Sequence, residues 1–200
     1  MAIKFQYNKT SLHELNKQLR VRLRALPTLQ NKESALRMEV KKAKDKADEY
    51  RTLLQDRISE YQKMVRLWVE YDPELVRIDD VRLSSKKIAG VQTPILEEVL
   101  FSIKPISLFN QPDWTMEGIR IIQGLARVAI EREFFMRKMH LLDYARRKTT
   151  QKVNLYEKVQ IPGYDDAIRK IKRFLEDEEN LSKSAQKIVK NRSVETGVAS

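Results

Sequence analysis

The sequence has no cysteine, few residues that break helices and no long apolar run. Without cysteine, the 200-residue chain can form neither a disulfide framework nor a thiolate metal site. Glycine and proline number only 5 and 6, and aromatic residues make up 8% of the chain, which favours long solvated helices over a thick globular core. No apolar stretch approaches the roughly 20 residues of a transmembrane helix. The first residues also lack the apolar core of a secretion signal, so we expect a cytoplasmic protein.

Basic side chains exceed acidic ones by 39 to 28, which gives a formal net charge of +11. A nucleic acid, an acidic lipid surface or an acidic protein cavity would each suit such a chain. A solvated helical surface that carries more lysine than glutamate accounts for the excess equally well. The charge alone therefore leaves the partner open.

Motifs that carry chemistry are missing. The sequence contains no glycine-rich loop of the kinds that hold nucleotide phosphates. His13 and His140 fall on different predicted helices, and neither has a second histidine nearby. The acidic run 176–179 is interpreted as a solvated helix face. We therefore expect no catalytic residue, no cofactor and no metal.

One basic cluster could bind phosphate groups. It comprises Arg146, Arg147, Lys148 and Lys152. No aromatic residues interleave with these side chains to stack on bases. A basic coiled-coil module that binds nucleic acid or the ribosome is therefore kept as the alternative hypothesis, and a generic scaffold as a third.

Apolar residues recur from residue 12 to residue 68 at spacings that alternate between three and four. This spacing predicts one long helix with a coiled-coil seam, and we place that helix at 8–71. Thr10 or Ser11 is the expected N-cap, and Pro27 is expected to distort the helix locally. Arg22, Glu33 and Arg57 interrupt the seam. Its apolar members are Leu12, Leu15, Leu19, Leu26, Leu29, Leu36, Val40, Ala43, Ala47, Tyr50, Leu54, Tyr61, Met64 and Trp68.

Residues 72–113 have a different character, because four of the six prolines fall there together with Gly90. The segment 76–83 alternates partly and reads as a strand or a helix end, whereas 84–87 reads as a turn. Short extended pieces are predicted at 88–95 and 99–103. A small hairpin or another compact β-containing knob is expected here.

Helical periodicity returns at residue 114, and a second long helix is predicted over 114–192. Past Pro162 and Gly163 the apolar pattern resumes with its phase shifted by one residue, so we expect the helix to continue through a bend. Residues 193–200 are expected to form a flexible tail. The apolar positions of this second seam are Ile121, Leu125, Val128, Phe135, Met139, Leu142, Val153 and Tyr156.

Two long amphipathic helices that flank a compact middle segment most simply fold back on each other, because neither seam is stable in water. The predicted fold is mainly α: two long helices in an antiparallel coiled coil, with a small middle segment that contains short strands or a hairpin. We predict a single elongated domain over residues 1–200, in which the partner of the first seam is internal to the chain.

Four short motifs occur along the chain, at Lys9, Thr10, Ser11 and Leu12; at Gly90 and Pro94; at Val153 and Asn154; and at Ile161 and Pro162. In this order and spacing, they resemble the D subunit of the V-type (vacuolar/archaeal-type) ATPases over nearly the whole chain. Tyr156 and the residue before it depart from the family's usual Ala-Leu, and Pro27 interrupts a helix that is continuous in many members. The chain is thus similar to the divergent bacterial versions.

The resemblance implies a rotor shaft without catalytic residues of its own. In this family, the D subunit enters the cavity of the hexamer of A and B subunits, binds the small F subunit, and docks on the funnel-shaped subunit above the membrane ring. It carries torque between ATP hydrolysis or synthesis in the hexamer and translocation of protons or sodium ions through the ring. The resemblance therefore implies a cytoplasmic location peripheral to the membrane, in the soluble ATPase sector, with no membrane insertion and no direct binding to nucleic acid.

Overall fold

The computed structural model describes residues 3–64, 68–106 and 112–197. These residues form long helices and one β-hairpin. Along the chain, the elements are α1 (Lys9–Tyr61), a 3-10 turn (Gln62–Met64), a second 3-10 turn (Pro73–Leu75), β1 (Val76–Ile88), β2 (Val91–Ile103), α2 (Thr115–Leu155), a π-helical segment (Tyr156–Gln160) and α3 (Ile161–Gly197).

The helix bounds differ from the predicted ones mainly at their C-terminal ends. The first helix was placed at 8–71, but α1 ends at Tyr61 and a 3-10 turn follows it. The second helix was placed at 114–192, whereas α3 continues to Gly197, into the segment expected to be a flexible tail. The organisation of the chain as a single elongated domain stays a prediction.

The N-cap of α1 is Asn8 and not Thr10 or Ser11. The Ser11 amide donates to Asn8 Oδ1 at 2.7 Å, which satisfies one of the free N–H groups at the helix start. The Ser11 hydroxyl faces backward instead and accepts a hydrogen bond from the Gln6 amide at 3.3 Å. The prediction was wrong because several residues at this end are good caps, and only the fold of the preceding segment selects among them.

Helix α1 stays continuous through Pro27. Proline has no amide hydrogen, so the carbonyl of Leu23 lacks its usual partner one turn later. Pro27 is exposed and Leu23 is 49% exposed, so solvent can hydrate that carbonyl. The predicted local distortion at this position stays a prediction.

The middle segment forms an antiparallel hairpin of two 13-residue strands. The register runs from Val76 opposite Ile103 to Ile88 opposite Val91. The turn is Ala89-Gly90, with φ of 47° and 81°. A two-residue hairpin turn needs positive φ, which glycine adopts without strain.

The turn predicted at 84–87 is wrong, because β1 passes straight through these residues. Their serines and lysines are typical of turns, but cross-strand pairing keeps them extended, with Ser84 opposite Ile95 and Lys87 opposite Gln92. The register shifts between Ile78 and Asp80 and again between Arg82 and Leu83. Such bulges change which residues share a face of the sheet.

The helix continues past Pro162, as the apolar pattern predicted. A π-helical segment, Tyr156–Gln160, separates α2 from α3. A π-helical turn places one additional residue in the turn. This insertion is the structural reason for the one-residue shift of phase between the apolar patterns of α2 and α3.

The fold-class prediction is confirmed: the chain is mainly helical, with long N-terminal and C-terminal helices and a two-stranded antiparallel hairpin between them. It divides into two compact units. We call Met1–Asn31 with Thr149–Ser200 the terminal unit, and Lys32–Lys148 the central unit. No helix in the described ranges combines the length and the apolar character that crossing a membrane requires.

Candidate functional site

The terminal unit is built around a buried apolar cluster between α1 and α3. Leu15 is 5% exposed and packs with Ile171, which is fully buried. The segment before α1 adds Ile3 and Phe5 to the same cluster. Gly163 provides space there, because a Cβ at this position would lie 3.2 Å from Ile3 Cδ1. The remaining members are Tyr164, Ala167 and Ile168, with Leu12, Leu19 and Leu175 at the edge.

Next to this cluster, polar side chains link α1 to the end of the π-helical segment and the start of α3. Tyr164 donates its hydroxyl hydrogen to Gln18 Oε1 at 2.7 Å, and Arg22 donates from Nε to Gln160 Oε1 at 2.7 Å. The guanidinium of Arg22 also lies 4.5 Å from the centre of the Tyr164 ring. Gln18 comes before Arg22 in α1, whereas its partner Tyr164 comes after Gln160, the partner of Arg22. The two paired helical segments therefore run antiparallel in this unit. Arg22, which interrupts the predicted seam, is therefore hydrogen-bonded within it.

The last part of α3 differs from the rest of the terminal unit. The described side chains from residue 176 to residue 192 are all exposed. Leu181 is 73% and Ile188 56% exposed, and these two residues are one heptad apart on the helix. This stretch of α3 thus presents apolar side chains to the surroundings.

In the central unit, small and aromatic residues form the seam between α1 and α2. Ala43 and Ala47 are 3% and 2% exposed, and small residues such as these allow helices to approach closely. Tyr50 stacks on Phe135 with the ring centres 5.5 Å apart and the planes at 12°. Burial, and then the nearby Glu131 carboxylate, raise the pKa of Tyr50, so its hydroxyl stays protonated.

The two other interruptions of the first seam also belong to the central unit. Glu33 is 9% exposed, and its carboxylate accepts a hydrogen bond from Arg37 at 2.9 Å. Arg57 is half-buried and lies beside Gly124, whose missing side chain leaves room for the guanidinium. Charged residues thus occur in a seam where a local partner or a small neighbour accommodates them.

Three aromatic rings meet near the end of α1 and the start of α2. Trp68 lies 6.1 Å from Trp114 and 5.8 Å from Tyr71 between ring centres. Gly118 permits this packing, because a Cβ there would lie 2.9 Å from the Trp114 ring. The Tyr71 hydroxyl is buried without a hydrogen-bond partner in the described part of the chain, and burial raises its pKa.

The predicted seam residues are mostly shielded from solvent, and their functional role stays a prediction. Met64 is exposed, at 44%. The buried ones are Leu15, Leu36, Ala43, Ala47, Val128 and Leu142. The half-buried ones are Leu12, Leu19, Leu26, Leu29, Val40, Tyr50, Leu54, Tyr61, Trp68, Ile121, Leu125, Phe135, Met139, Val153 and Tyr156.

The family-motif positions lie at places where the backbone changes direction or geometry. Lys9 begins α1, and Gly90 forms the hairpin turn. Fully buried Thr93, in the same motif as Pro94, donates its hydroxyl hydrogen to the Lys86 carbonyl across the hairpin at 2.8 Å. Val153 and Asn154 immediately precede the π-helical segment, and Ile161 and Pro162 follow it.

The two histidines lie on different helices, and part of the basic cluster is already paired with a carboxylate, so the structure does not assemble a ligand site from them. His13 and His140 are both exposed, on α1 and α2. Two members of the basic cluster bind a carboxylate: Arg146 and Arg147 lie 2.8 Å and 2.7 Å from Asp143. Those hydrogen bonds, with that from Arg146 the stronger influence, lower the pKa of Asp143. Among residues 3–64, 68–106 and 112–197, no three metal-binding side chains cluster.

Sequence reasoning missed an apolar groove between the hairpin and α2. One wall consists of Ile78, Val81 and Leu83, and the groove has a volume of about 560 Å³. The residues of this wall are spaced irregularly because of the bulge at Asp79, so simple alternation does not assign them to one face. The other wall is α2, with Ala126, Ala129, Ile130 and Phe134, and with Glu133 and Arg137 at the margin.

Comparison with known proteins identifies relatives across nearly the whole chain. A family profile that describes the D subunit of ATP synthase matches residues 11–191. The chain is 30% identical to the D subunit of the V-type ATP synthase of Borreliella burgdorferi over 191 residues, which cover 94% of each protein. It is 26% identical to the protein of the same name from Chlamydia muridarum over 197 residues, covering 96% of this chain and 97% of the relative. With the Chlamydia pneumoniae protein of that name it shares 30% identity over 186 residues, 88% of this chain and 87% of the relative.

Proposed function

Because the chain belongs to the family of ATP synthase D subunits, we propose that it is the central-stalk subunit, or rotor shaft, of a V-type ATPase or ATP synthase. In this role it carries torque between ATP hydrolysis or synthesis in the A and B hexamer and translocation of protons or sodium ions through the membrane ring. It contributes no catalytic residue. It works in the cytoplasm, peripheral to the membrane, in the soluble sector of the complex.

The observation that carries this proposal is the antiparallel pairing of the N-terminal helix with the C-terminal helical segments. In the terminal unit, Gln18 binds Tyr164 of α3, and Arg22 binds Gln160 at the end of the π-helical segment. In the central unit, Tyr50 of α1 stacks on Phe135 of α2. A pair of helices joined by interdigitated side chains resists relative sliding, because every step of register would break these contacts. Such resistance is what transmission of torque demands.

The proposed partners are the A and B subunits around the shaft, the small F subunit, and the funnel-shaped subunit above the ring. The exposed end of α3 supports the contact with the hexamer. Leu181 and Ile188 are exposed on a helix that also carries many charged residues, so a surrounding protein cavity would bury them. The net charge of +11 favours a cavity with carboxylates.

The test is the coupling of ATP hydrolysis to ion transport in the assembled complex after removal of residues 176–200. We expect ATP hydrolysis to continue with far fewer ions transported per ATP, because the shaft would lose the end of α3 that contacts the hexamer. The matched control removes only 193–200 and leaves Leu181 and Ile188 in place. Full coupling after removal of 176–200 would contradict the shaft role.

The absence of catalysis is tested separately with the purified chain. We expect no ATP hydrolysis by the chain alone, and hydrolysis only when the A and B subunits are present. Copurification gives the second readout, since a rotor shaft should be isolated with A, B and F subunits. Isolation of a folded chain without those subunits from cells that make them would contradict the proposal.

A further inference from the structure

The apolar face of the hairpin is more exposed on β1 than on β2. Across the bulged register, Ile78 lies opposite Phe101, and Val81 lies opposite Val99. On β2, Val99 is 6% exposed and Phe101 is half-buried. On β1, Ile78 is 50% and Leu83 55% exposed, whereas Val81 is half-buried. This more exposed β1 side of the face forms one wall of the groove with α2.

Two hydrogen bonds fix the backbone at the bulge of Asp79. Ser102 donates its hydroxyl hydrogen to Asp79 Oδ1 at 2.7 Å, and the Val81 amide donates to Asp80 Oδ1 at 2.8 Å. Because one residue is added here, Ile78 and Val81 face the same side. The open apolar wall is therefore a fixed feature of the hairpin.

The dimensions of the groove match a short helix. From Ile78 to Leu83 a strand advances about 16 Å, and from Ala126 to Arg137 a helix advances about 16 Å. A guest helix of that length has about eleven residues, or three turns. Small residues on α2, Ala126 and Ala129, leave the volume of about 560 Å³ unfilled.

The surroundings of the groove are basic. Helix α2 carries four basic and two acidic residues between Arg127 and Lys138, and β1 carries the same numbers between Val76 and Ile88. Arg137 at the margin is 79% exposed beside its partner Glu133. Arg127 is exposed and makes no ion pair within the described ranges. Acidic side chains on a guest would therefore be attracted along both walls.

We propose that this groove docks a three-turn amphipathic helix whose apolar face fills the groove and whose edges carry carboxylates. The inference rests on the proposed function, because a companion protein of the ATP synthase complex supplies that helix. A guest strand fits less well. Strand addition needs the free backbone edge of a sheet, whereas the lining residues Ile78, Val81 and Leu83 share a face.

The first test locates the guest by photocrosslinking in the assembled complex. The full-length chain carries benzoylphenylalanine in place of Leu83, which is 55% exposed at the groove, or in place of Leu53, which is 38% exposed on α1 outside it. After irradiation, the crosslinked peptide is sequenced. We expect the Leu83 position alone to yield an adduct with a segment of another protein of the complex that has apolar residues at helical spacing, flanked by Asp or Glu.

Other crosslinking results would overturn the inference. These are an adduct in a strand with alternating apolar residues, an adduct in a second copy of this chain, an adduct in a basic segment, or no adduct from the groove position. The proposed function would survive each of these results if the complex still assembled and coupled hydrolysis to transport. Conversely, a chain that never enters the complex would refute the proposed function itself.

The second test changes the groove and measures the crosslink yield from position 83. Ala129→Phe should fill the groove and lower the yield at least tenfold. Arg137→Glu should lower it by about fivefold, because charge complementarity is reversed. The matched control is Arg120→Glu, since Arg120 is also an exposed α2 arginine that pairs with a glutamate one turn earlier, Glu117. Equal losses for Arg137→Glu and Arg120→Glu, with helical content unchanged by circular dichroism, would overturn the electrostatic part of the inference.

Discussion

The terminal and central units pack their helices with different kinds of side chain. In the terminal unit, an aliphatic cluster around Ile171 adjoins the hydrogen bonds of Arg22 and Tyr164. In the central unit, alanines and the stacked rings of Tyr50 and Phe135 form the seam. Directional polar contacts select one register, because a shifted register would leave their donors and acceptors unpaired. Apolar contacts contribute more stability but tolerate more shifts.

The units also differ in what they leave uncovered. The central unit exposes apolar side chains of the hairpin over a groove, whereas the terminal unit exposes Leu181 and Ile188 on a single helix. A groove selects the shape of a guest, but a convex helix must be enclosed by its partner. The two surfaces therefore suit partners of different kinds, which agrees with a protein that contacts several others.

Ile171→Ala should have the largest effect, because Ile171 is fully buried in the terminal cluster. The lost contacts and the cavity left behind should reduce the free energy of unfolding by about 3 kcal/mol. Leu36→Ala should have a similar effect in the central unit, where Leu36 is also fully buried. Urea unfolding followed by circular dichroism measures both, and Leu181→Ala is the exposed control, expected within about 0.5 kcal/mol of the unmodified chain. A small effect at either buried position would show that its unit is loosely packed.

A comparison of Arg22→Ala with Arg57→Ala tests how much a charged residue contributes to each of the two seams. Arg22→Ala should lower the free energy of unfolding by about 2 kcal/mol, because Gln160 loses its hydrogen bond and the Tyr164 ring loses its cation. Arg57→Ala in the central unit should cost less than about 0.5 kcal/mol, since Arg57 makes no hydrogen bond or ion pair within the described residues. Urea unfolding distinguishes the two. Equal costs would refute the view that polar bonds distinguish the terminal seam.

The heptad pattern predicted the helices and their antiparallel partner well, because a long apolar stripe has few ways to avoid water. Even the π-helical segment left a trace, namely the one-residue shift of phase around Pro162. The position of the hairpin turn was harder to predict from the sequence than the helices were. Ala89-Gly90 is an unusual turn pair, and the polar run 84–87 looked more like a turn than the residues that form it.

The features that were missed depend on contacts between residues far apart in sequence. Nothing local distinguishes Arg22, whose partner Gln160 lies 138 residues away, from an arginine that merely interrupts a seam. Similarly, the groove depends on a bulge at Asp79 that Ser102 holds from the opposite strand. Sequence patterns report which faces avoid water, but they do not report which polar groups meet.

Asp143→Asn probes a polar contact in the central unit. Hydrogen bonds from Arg146 and Arg147 lower the pKa of Asp143 below its ordinary value of 3.8. A carboxylate with a lowered pKa contributes stability above its unfolded pKa, and the contribution is lost as the pH falls through the native pKa. Asp143→Asn should therefore cost about 1 kcal/mol at pH 7, and the difference should vanish in acid. Asp166→Asn is the control: Asp166 is an exposed residue of α3 that pairs with Lys170 at 2.9 Å, and its replacement should cost less because solvent screens that pair. A cost of Asp143→Asn that persists at low pH would contradict this origin.

Tyr71→Phe should have the smallest effect and the opposite sign. The ring of Tyr71 packs against Trp68 and Trp114, and phenylalanine would keep that packing. The hydroxyl is buried and has no partner within residues 3–64, 68–106 and 112–197, so removing it should raise the free energy of unfolding by about 0.5 kcal/mol. Trp114→Phe is the control that changes the packing instead, and it should destabilise the central unit. Thermal unfolding in parallel with urea unfolding measures the sign, and a loss of stability in Tyr71→Phe would mean that water or another group binds this hydroxyl.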